Sequence, residues 1–275
     1  MRGLLLVNPH AGDDRPSDED LVAAARERGV DVHVLQEGEH LTELARDSEA
    51  DVLGIAGGDG SLGAVAEVAV ERDVPFVCVP WGTRNHFAGD VGLDRGDPLA
   101  ALGAFSDGSE RRLDVGRVGE RLFLNNVTLG LYAQLVHHRE QHRRRREALA
   151  RLRALVVSLR DRRSAERFVV DGRPLRASAV LIANNRYRLD LFSIGERDRL
   201  DAGVLAVYAA RGLRRLQWTE HTTPRVRIET PERTVRVAVD GEPVMLESPL
   251  ELRVEPGALR LLVPPAARDA SAEDE

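Results

Sequence analysis

Gly54-Ile55-Ala56-Gly57-Gly58-Asp59-Gly60-Ser61-Leu62-Gly63 is the stretch on which the reading of the fold turns. Val52 to Ala56 before it is an apolar run of strand length, and Leu62 to Val70 after it has helical spacing. The glycines therefore lie where a buried strand hands over to a helix. Backbone N–H groups at such a junction point outward, and the dipole of the helix favours an anion there. Glycine also lets the backbone come close to a phosphate. A plain tight βα turn is the bland alternative, and four glycines in the seven positions 57–63 weigh against it.

Outward from this junction the first third of the chain repeats the same unit. Strands are predicted over Leu4–Val7, Val30–Leu35, Val52–Ala56 and Val74–Val79, with helices over Asp18–Arg28, Leu41–Arg46 and Leu62–Val70. Gly29 stands as a helix stop. Strands alternating with helices at this spacing imply right-handed crossovers and a mostly parallel sheet covered on both faces. Beyond about Arg112 the segments become short and alternating: Leu113–Val118, Arg121–Val127, Arg167–Val170, Ala179–Ala183, Gly203–Ala209, Arg225–Glu229 and Thr234–Val239. The pairs Asp171-Gly172 and Asp240-Gly241 are hairpin signals, so an antiparallel sandwich or barrel is expected there. Leu259–Val263 is a last strand that closes one of the sheets.

The fold class that follows is α/β plus all-β. The predicted domains are an open α/β domain over 1–112, with 257–265 as a candidate addition, and a β-sandwich over 113–256. A basic helix over 138–163 interrupts the second domain, and 266–275 is a disordered acidic tail.

Composition removes several chemistries. The 275 residues are 43% apolar, enough for packed cores, and the net charge of −6 argues against nucleic acid as partner. Cys78 is the single cysteine, which excludes an intrachain disulfide and any multi-cysteine zinc site. No lysine occurs, so all 39 basic residues are arginine. A P-loop and Schiff-base catalysis both need that lysine, and both are excluded. The apolar run Gly3–Val7 meets Asn8-Pro9 too soon for a signal peptide, and no stretch approaches the ~20 apolar residues of a membrane span. A cytoplasmic protein is expected.

Gly58-x-Gly60-x-x-Gly63 also matches the dinucleotide fingerprint. That motif belongs to a first βα unit with an acid about 20 residues on; here it is the third unit, and Val79-Pro80-Trp81-Gly82 stands at that distance. Asp59 favours another reading. A carboxylate among phosphate-cradling glycines needs a bridging divalent cation, or a proton to accept, and metal-assisted phosphoryl transfer supplies both. A second loop, Val79-Pro80-Trp81-Gly82-Thr83-Arg84-Asn85-His86-Phe87-Ala88, follows the fourth strand. Gly82 and Thr83 offer a backbone and a hydroxyl to phosphate or ribose, and Arg84 offers charge. Both loops, and Asn8-Pro9 at the end of the first strand, lie at the carboxyl edge of the sheet, where open α/β sheets bind ligands.

Asn8-Pro-x-x-Gly12, Gly57-Gly-Asp-Gly-Ser61, Pro80-x-Gly-Thr-x-Asn-x-Phe-Ala88, Phe123-Leu-Asn-Asn-x-x-x-Gly130 and Val239-Asp-Gly-Glu242 occur in this order. Together they resemble the diacylglycerol kinase catalytic-domain family, which includes bacterial lipid kinases, sphingosine kinases and ceramide kinases. The first two resemble, more distantly, NAD and polyphosphate kinases. The resemblance implies an NAD-kinase-like nucleotide-binding domain, then a β-rich domain, with the active site in a cleft. It implies ATP as phosphate donor, Mg2+ as cofactor and a lipid such as diacylglycerol as acceptor. Asp59 would lie near the γ-phosphate and magnesium as a catalytic and metal-linked residue. Asn8, Gly57, Gly58, Gly60, Ser61, Gly82, Thr83, Arg84 and Asn85 would line the nucleotide site. Glu242 would be the general base.

The chain departs from the family pattern in several places. Ser61 stands where threonine is usual, His86 where an acid is common, and the arginine usual near Gly89 is missing, with Arg84 as a candidate to compensate. Leu200-Asp201-Ala202-Gly203 lacks the second of the paired acids that helps many members hold a structural magnesium.

Arg143–Arg163 carries Leu149, Leu152, Leu155, Val156 and Leu159 on one helical stripe. The plainer reading packs that stripe on the β domain; peripheral contact with the inner membrane face through 138–163 is a secondary role. His137, His138 and His142 lie among arginines that repel a cation. A lipid kinase accounts for both loops and both carboxylates. A soluble-substrate kinase of NAD-kinase type, or a non-catalytic nucleotide- or lipid-binding relative, are the alternatives.

Overall fold

The computed structural model describes residues 2–11, 16–82, 85–130, 166–190, 193–197, 199–211 and 217–265. The expected helix over 138–163 and the tail 266–275 lie outside them. The chain divides into two compact units. One comprises residues up to Val115, the short segment Glu196–Asp201, and the chain from Pro256 on; the other comprises Gly116–Gly195 and Ala202–Glu255.

The first unit opens with β1 (Gly3–Val7), α1 (Asp18–Glu27), β2 (Asp31–Val34), α2 (Leu41–Asp47), β3 (Val52–Gly57), α3 (Asp59–Glu71) and β4 (Phe76–Pro80). Three short helices follow: α4 (His86–Asp90), α5 (Pro98–Ala101) and α6 (Ala104–Asp107). The strands run parallel in the order β2-β1-β3-β4, with Leu4 opposite Leu53 and Leu53 opposite Phe76. All six residues of β3 are buried, as a strand covered on both faces requires. α1 starts in a capping box, with Ser17 Oγ accepting from Asp20 N at 3.1 Å, and buries Leu21 and Ala25. Phe105 of α6 lies against Gly3 and Gly54; a Cβ on Gly3 would come within 2.8 Å of its ring.

α3 begins at Asp59, three residues before the expected start at Leu62. The first turn of a helix has amides that need no intrahelical acceptor, so Gly60 is tolerated there, and an acid at the first position suits the dipole. Asp59, Gly60 and Ser61 are therefore helical residues and not loop.

The second unit is antiparallel. It takes the end of β5 (Ser109–Val118), then β6 (Arg121–Phe123), β7 (Asn126–Gly130), β8 (Glu166–Val170), β9 (Arg173–Ala177), β10 (Ala179–Asn184), β11 (Tyr187–Asp190), the start of β12 (Ser193–Arg197, whose last residues Glu196 and Arg197 belong to the first unit), β13 (Leu205–Arg211), β14 (Gln217–Thr223), β15 (Arg225–Glu229), β16 (Thr234–Val239) and β17 (Glu242–Glu247). The first residues of β18 (Leu250–Val263) complete it, and the last residues of that strand run parallel to β4 in the first unit, Leu261 opposite Phe76. One sheet of the second unit has the order β14-β13-β10-β7-β16-β17; the other sets β18, β15, β8 and β9 side by side. Phe123, Phe168, Val180, Ile182, Val226, Ile228 and Leu252, drawn from both sheets, form one core.

The expected single strand over Arg121–Val127 is two strands. Leu124 and Asn125 leave the ladder because their amides bond to the Asp240 carboxylate instead of to a neighbouring strand.

Candidate active site

In the first unit three loops lock together at the carboxyl ends of β1, β3 and β4. Asn8 continues the ladder of β1, its N–H donating to the Ala56 carbonyl at 2.9 Å, while its side-chain Nδ2 donates to Ser61 Oγ at 2.8 Å. Its Oδ1 accepts from His10 N at 3.1 Å, which fixes the turn after the strand. Ser61 thus ties the Asn8 loop to the first turn of α3. A Cβ on Gly57 would stand 2.8 Å from Ser61 Cβ, so the serine occupies the room that glycine leaves. Gly58 is the extended residue that caps α3.

Gly82 meets Gly58 backbone to backbone. A Cβ on Gly82 would lie 2.6 Å from Gly58 Cα and 2.7 Å from Asn85 Oδ1. Asn85 adopts the left-handed conformation (φ 47°), which asparagine tolerates better than most residues, and donates from Nδ2 to the Gly82 carbonyl at 2.7 Å. Asn85 Oδ1 and the indole Nε1 of Trp81 are buried and have no hydrogen-bond partner among the described residues.

Asp59 crosses between the two loops. Its carboxylate accepts from His86 N at 3.3 Å and Phe87 N at 3.2 Å, supplying at the start of α4 the cap that Asn85 does not make. The acid therefore joins the first turn of α3 to the first turn of α4. At the other end of α4, Asp90 Oδ2 takes both Nε and Nη2 of Arg197 at 2.7 Å; the two side chains are 4% and 0% exposed.

Gly89 does not leave its neighbourhood without charge. The guanidinium of Arg95 fills the space where a side chain on residue 89 would begin. Thr83 and Arg84 lie outside the described residues.

Glu242 belongs to the second unit. Asp240 (φ 47°) and Gly241 (φ 87°) form the tight hairpin between β16 and β17, and both centres need positive φ. The Asp240 carboxylate accepts three amides: Leu124 N at 2.7 Å, Asn125 N at 2.8 Å and Asn126 N at 2.9 Å. This fastens the hairpin to the start of β7. Glu242 follows as the first residue of β17, and its Oε2 accepts from Arg121 Nη2 at 3.1 Å with both side chains about half exposed. Asn126 reaches Tyr187 Oη at 3.1 Å, and Tyr187 N donates to Tyr208 Oη at 3.0 Å.

The donor set limits which metals fit. No group of three or more His, Cys, Asp or Glu side chains comes together among the described residues. Asp59 is a single carboxylate with two amides already on it, which fits a cation arriving with phosphate oxygens and not a resident metal cage. At the Leu200-Asp201-Ala202-Gly203 segment, Asp201 is paired with Arg199 Nε at 3.0 Å. A guanidinium there, with alanine at 202, does not fit a carboxylate-built magnesium site.

The structure brings Asn8, Gly57, Gly58, Asp59, Gly60, Ser61, Gly82 and Asn85 into one cluster in the first unit and gives Glu242 its own setting in the second. Sequence reasoning missed Asp240, Arg121, Arg95 and the Asp90–Arg197 pair. Asp240 carried a signal, since Asp-Gly marks the turn, but its amide partners lie 114–116 residues away. The other three carry none.

Residues 2–118 match the family described as diacylglycerol kinase catalytic domain. A probable lipid kinase YegS-like of Chromohalobacter salexigens is 34% identical over 131 residues, which span 44% of this chain and 42% of that protein. A probable lipid kinase YegS-like of Pseudomonas aeruginosa is 28% identical over 289 residues, 92% of each chain. Among solved structures, a diacylglycerol kinase from Bacillus anthracis superposes with a TM-score of 0.69 at 17% identity, covering 97% of this chain and 98% of that one. The resemblance drawn from the five motifs is borne out.

Proposed function

We propose that this chain, with its diacylglycerol kinase catalytic-domain match over residues 2–118, is a lipid kinase that moves the γ-phosphate of ATP to a lipid hydroxyl such as that of diacylglycerol. One observation carries the reading: two glycine turns in backbone contact, braced by Asn8, Ser61 and Asn85, with Asp59 between them and no lysine anywhere in the chain. Such a surface offers amides and a helix N-terminus to phosphate, where a lysine-based loop is ruled out.

Gly57, Gly58, Gly60, Ser61 and Gly82 bind and orient the phosphates in this reading, with Thr83, Arg84 and Asn85 continuing the nucleotide site. Asp59 holds the start of α4 beside the two glycine turns. Mg2+ bound with the nucleotide would be held by Asp59 and phosphate oxygens, and would supply charge neutralisation there. Glu242 accepts the proton of the acceptor O–H; the freed oxygen forms the new P–O bond at the γ-phosphorus, and the bond to the β-phosphate oxygen breaks to release ADP. The layout is proposed to be NAD-kinase-like in the first unit with a β-sandwich after it. The chain acts at the cytoplasmic side, with 138–163 as a peripheral contact to the inner membrane face.

The test is transfer from γ-labelled ATP with magnesium to mixed lipids and, in parallel, to soluble acceptors. An organic-extractable product that is lost in Asp59→Asn and in Glu242→Gln supports a lipid kinase. Label appearing only on a soluble acceptor would replace it with a kinase of NAD-kinase type. Nucleotide binding without transfer to any acceptor would leave a binding protein.

A further inference from the structure

The outer face of the sheet formed by β18, β15, β8 and β9 is unusually rich in arginine. In β15, Val226 and Ile228 are buried, which turns Arg225, Arg227 and Glu229 to the opposite face. The register places Arg225 opposite Arg253 and Arg227 opposite Glu251. In β8 and β9, Phe168 and Ala177 face the core, and Arg167 stands opposite Arg176 on the outside, next to the pair Val169 and Pro174. Five arginines, 167, 176, 225, 227 and 253, share this face with three carboxylates, Glu229, Glu251 and Glu255.

The ion pairs on the face are unevenly spread. Arg227 engages Glu229 at 3.1 Å and Glu251 at 2.7 Å, and Arg253 engages Glu255 at 3.1 Å. Arg167, Arg176 and Arg225 are exposed and have no ion pair among the described residues. Two cross-strand pairs, Arg225 with Arg253 and Arg167 with Arg176, set like charges directly opposite each other. That arrangement destabilises a sheet. It also runs against the charge of the chain as a whole, which is −6. Repulsion held on one flat face is relieved by a partner that carries the opposite charge over a comparable area.

We propose that this face docks the protein on an anionic phospholipid surface. Guanidinium groups match phosphate oxygens in a fork, and the apolar pair Val169 and Pro174 among them suits an interface where headgroups meet acyl chains. A nucleic-acid strand fits less well, because the face has arginine, glutamate, valine and proline but no aromatic side chain on which a base would stack. The inference deepens the lipid-acceptor reading, since it names the surface from which the acceptor is drawn.

The experiment compares the full chain with the triple variant Arg167→Gln, Arg176→Gln, Arg225→Gln. Binding is measured by co-sedimentation with vesicles of phosphatidylcholine alone and with one quarter phosphatidylglycerol. The wild type binds the anionic vesicles and releases with salt. The triple variant loses roughly a hundredfold in partition, from about 1 kcal/mol for each arginine near the surface. Its thermal midpoint holds or rises, because like-charge repulsion is removed. Equal binding by the two proteins, or wild-type binding that ignores phosphatidylglycerol, overturns the proposal, as does wild-type preference for an oligonucleotide over the anionic vesicles. Phosphate transfer to detergent-dispersed lipid is assayed separately. Its absence in the wild type refutes the kinase reading and leaves the vesicle result to decide the surface by itself.

Discussion

Replacing Arg197 by methionine tests how the last residue of α4 is held. Arg197 and Asp90 are 0% and 4% exposed, and the guanidinium gives Nε and Nη2 to one carboxylate oxygen at 2.7 Å. The Arg197 backbone N–H adds a third bond, to Oδ1 at 3.2 Å. Arg197→Met leaves the Asp90 carboxylate buried with most of its partners gone, a change that costs roughly 3–5 kcal/mol. For a domain of this size one kcal/mol moves the melting midpoint by about 2–4 °C, so the expected fall is roughly 6–20 °C. The double variant Asp90→Asn, Arg197→Met removes the stranded charge and keeps an oxygen for the Arg197 amide. It recovers more than half of the loss. Circular dichroism melts of the three proteins suffice. A fall of less than about 2 °C in the single variant, or a double variant no more stable than the single one, would refute the reasoning, because the pair would then not be a desolvated charge pair.

Gly82→Ala places a Cβ 2.6 Å from Gly58 Cα, where only backbone can yield, so the two glycine turns separate; we expect a loss of about 1–3 kcal/mol and weaker ATP binding by calorimetry. Asp240→Asn keeps one acceptor oxygen and turns an amide donor toward the Leu124–Asn126 amides. Steady-state kinetics should show kcat lower by roughly 10–100-fold with the KM for ATP unchanged, and a rise in that KM would argue against a role confined to Glu242. Glu110 is held below its ordinary 4.5 chiefly by its hydrogen bond to Arg260. Its folded value is depressed, so its stabilisation is present above pH 4.5 and is lost as pH falls through the folded value. Urea melts of Glu110→Gln against wild type should differ most above pH 4.5 and converge as pH falls through the depressed folded value of Glu110.

The alternation of apolar strands with helices was legible because each crossover has a local period, and the observed strand edges lie close to the expected ones. Val52–Ala56 became Val52–Gly57, and Arg225–Glu229 was matched to the residue. Where expectation and structure differ, the cause is a contact distant in sequence. Arg121–Val127 reads as one strand because nothing nearby says that Asp240 takes the amides of Leu124 and Asn125. The short helices α4 to α6 have four or five residues each, too few for a period to declare itself.

The candidate site divides in the same way. Glycine spacing after a buried strand, a carboxylate among those glycines, and a chain without lysine are properties of order and composition. They narrow the chemistry to anion binding without a P-loop before any coordinate is known. That Asp59 caps α4, that Gly82 must be glycine because Gly58 is there, and that Arg95 fills the space beside Gly89 are not in the order of residues. The first two arise when parallel strands bring loops distant in sequence to the same edge, and the third when the chain turns back on itself after α4. Local periodicity is set by the geometry of the backbone and can be read along the chain. Side-chain partners are set by which surfaces exclude water from each other, and only the folded chain decides that.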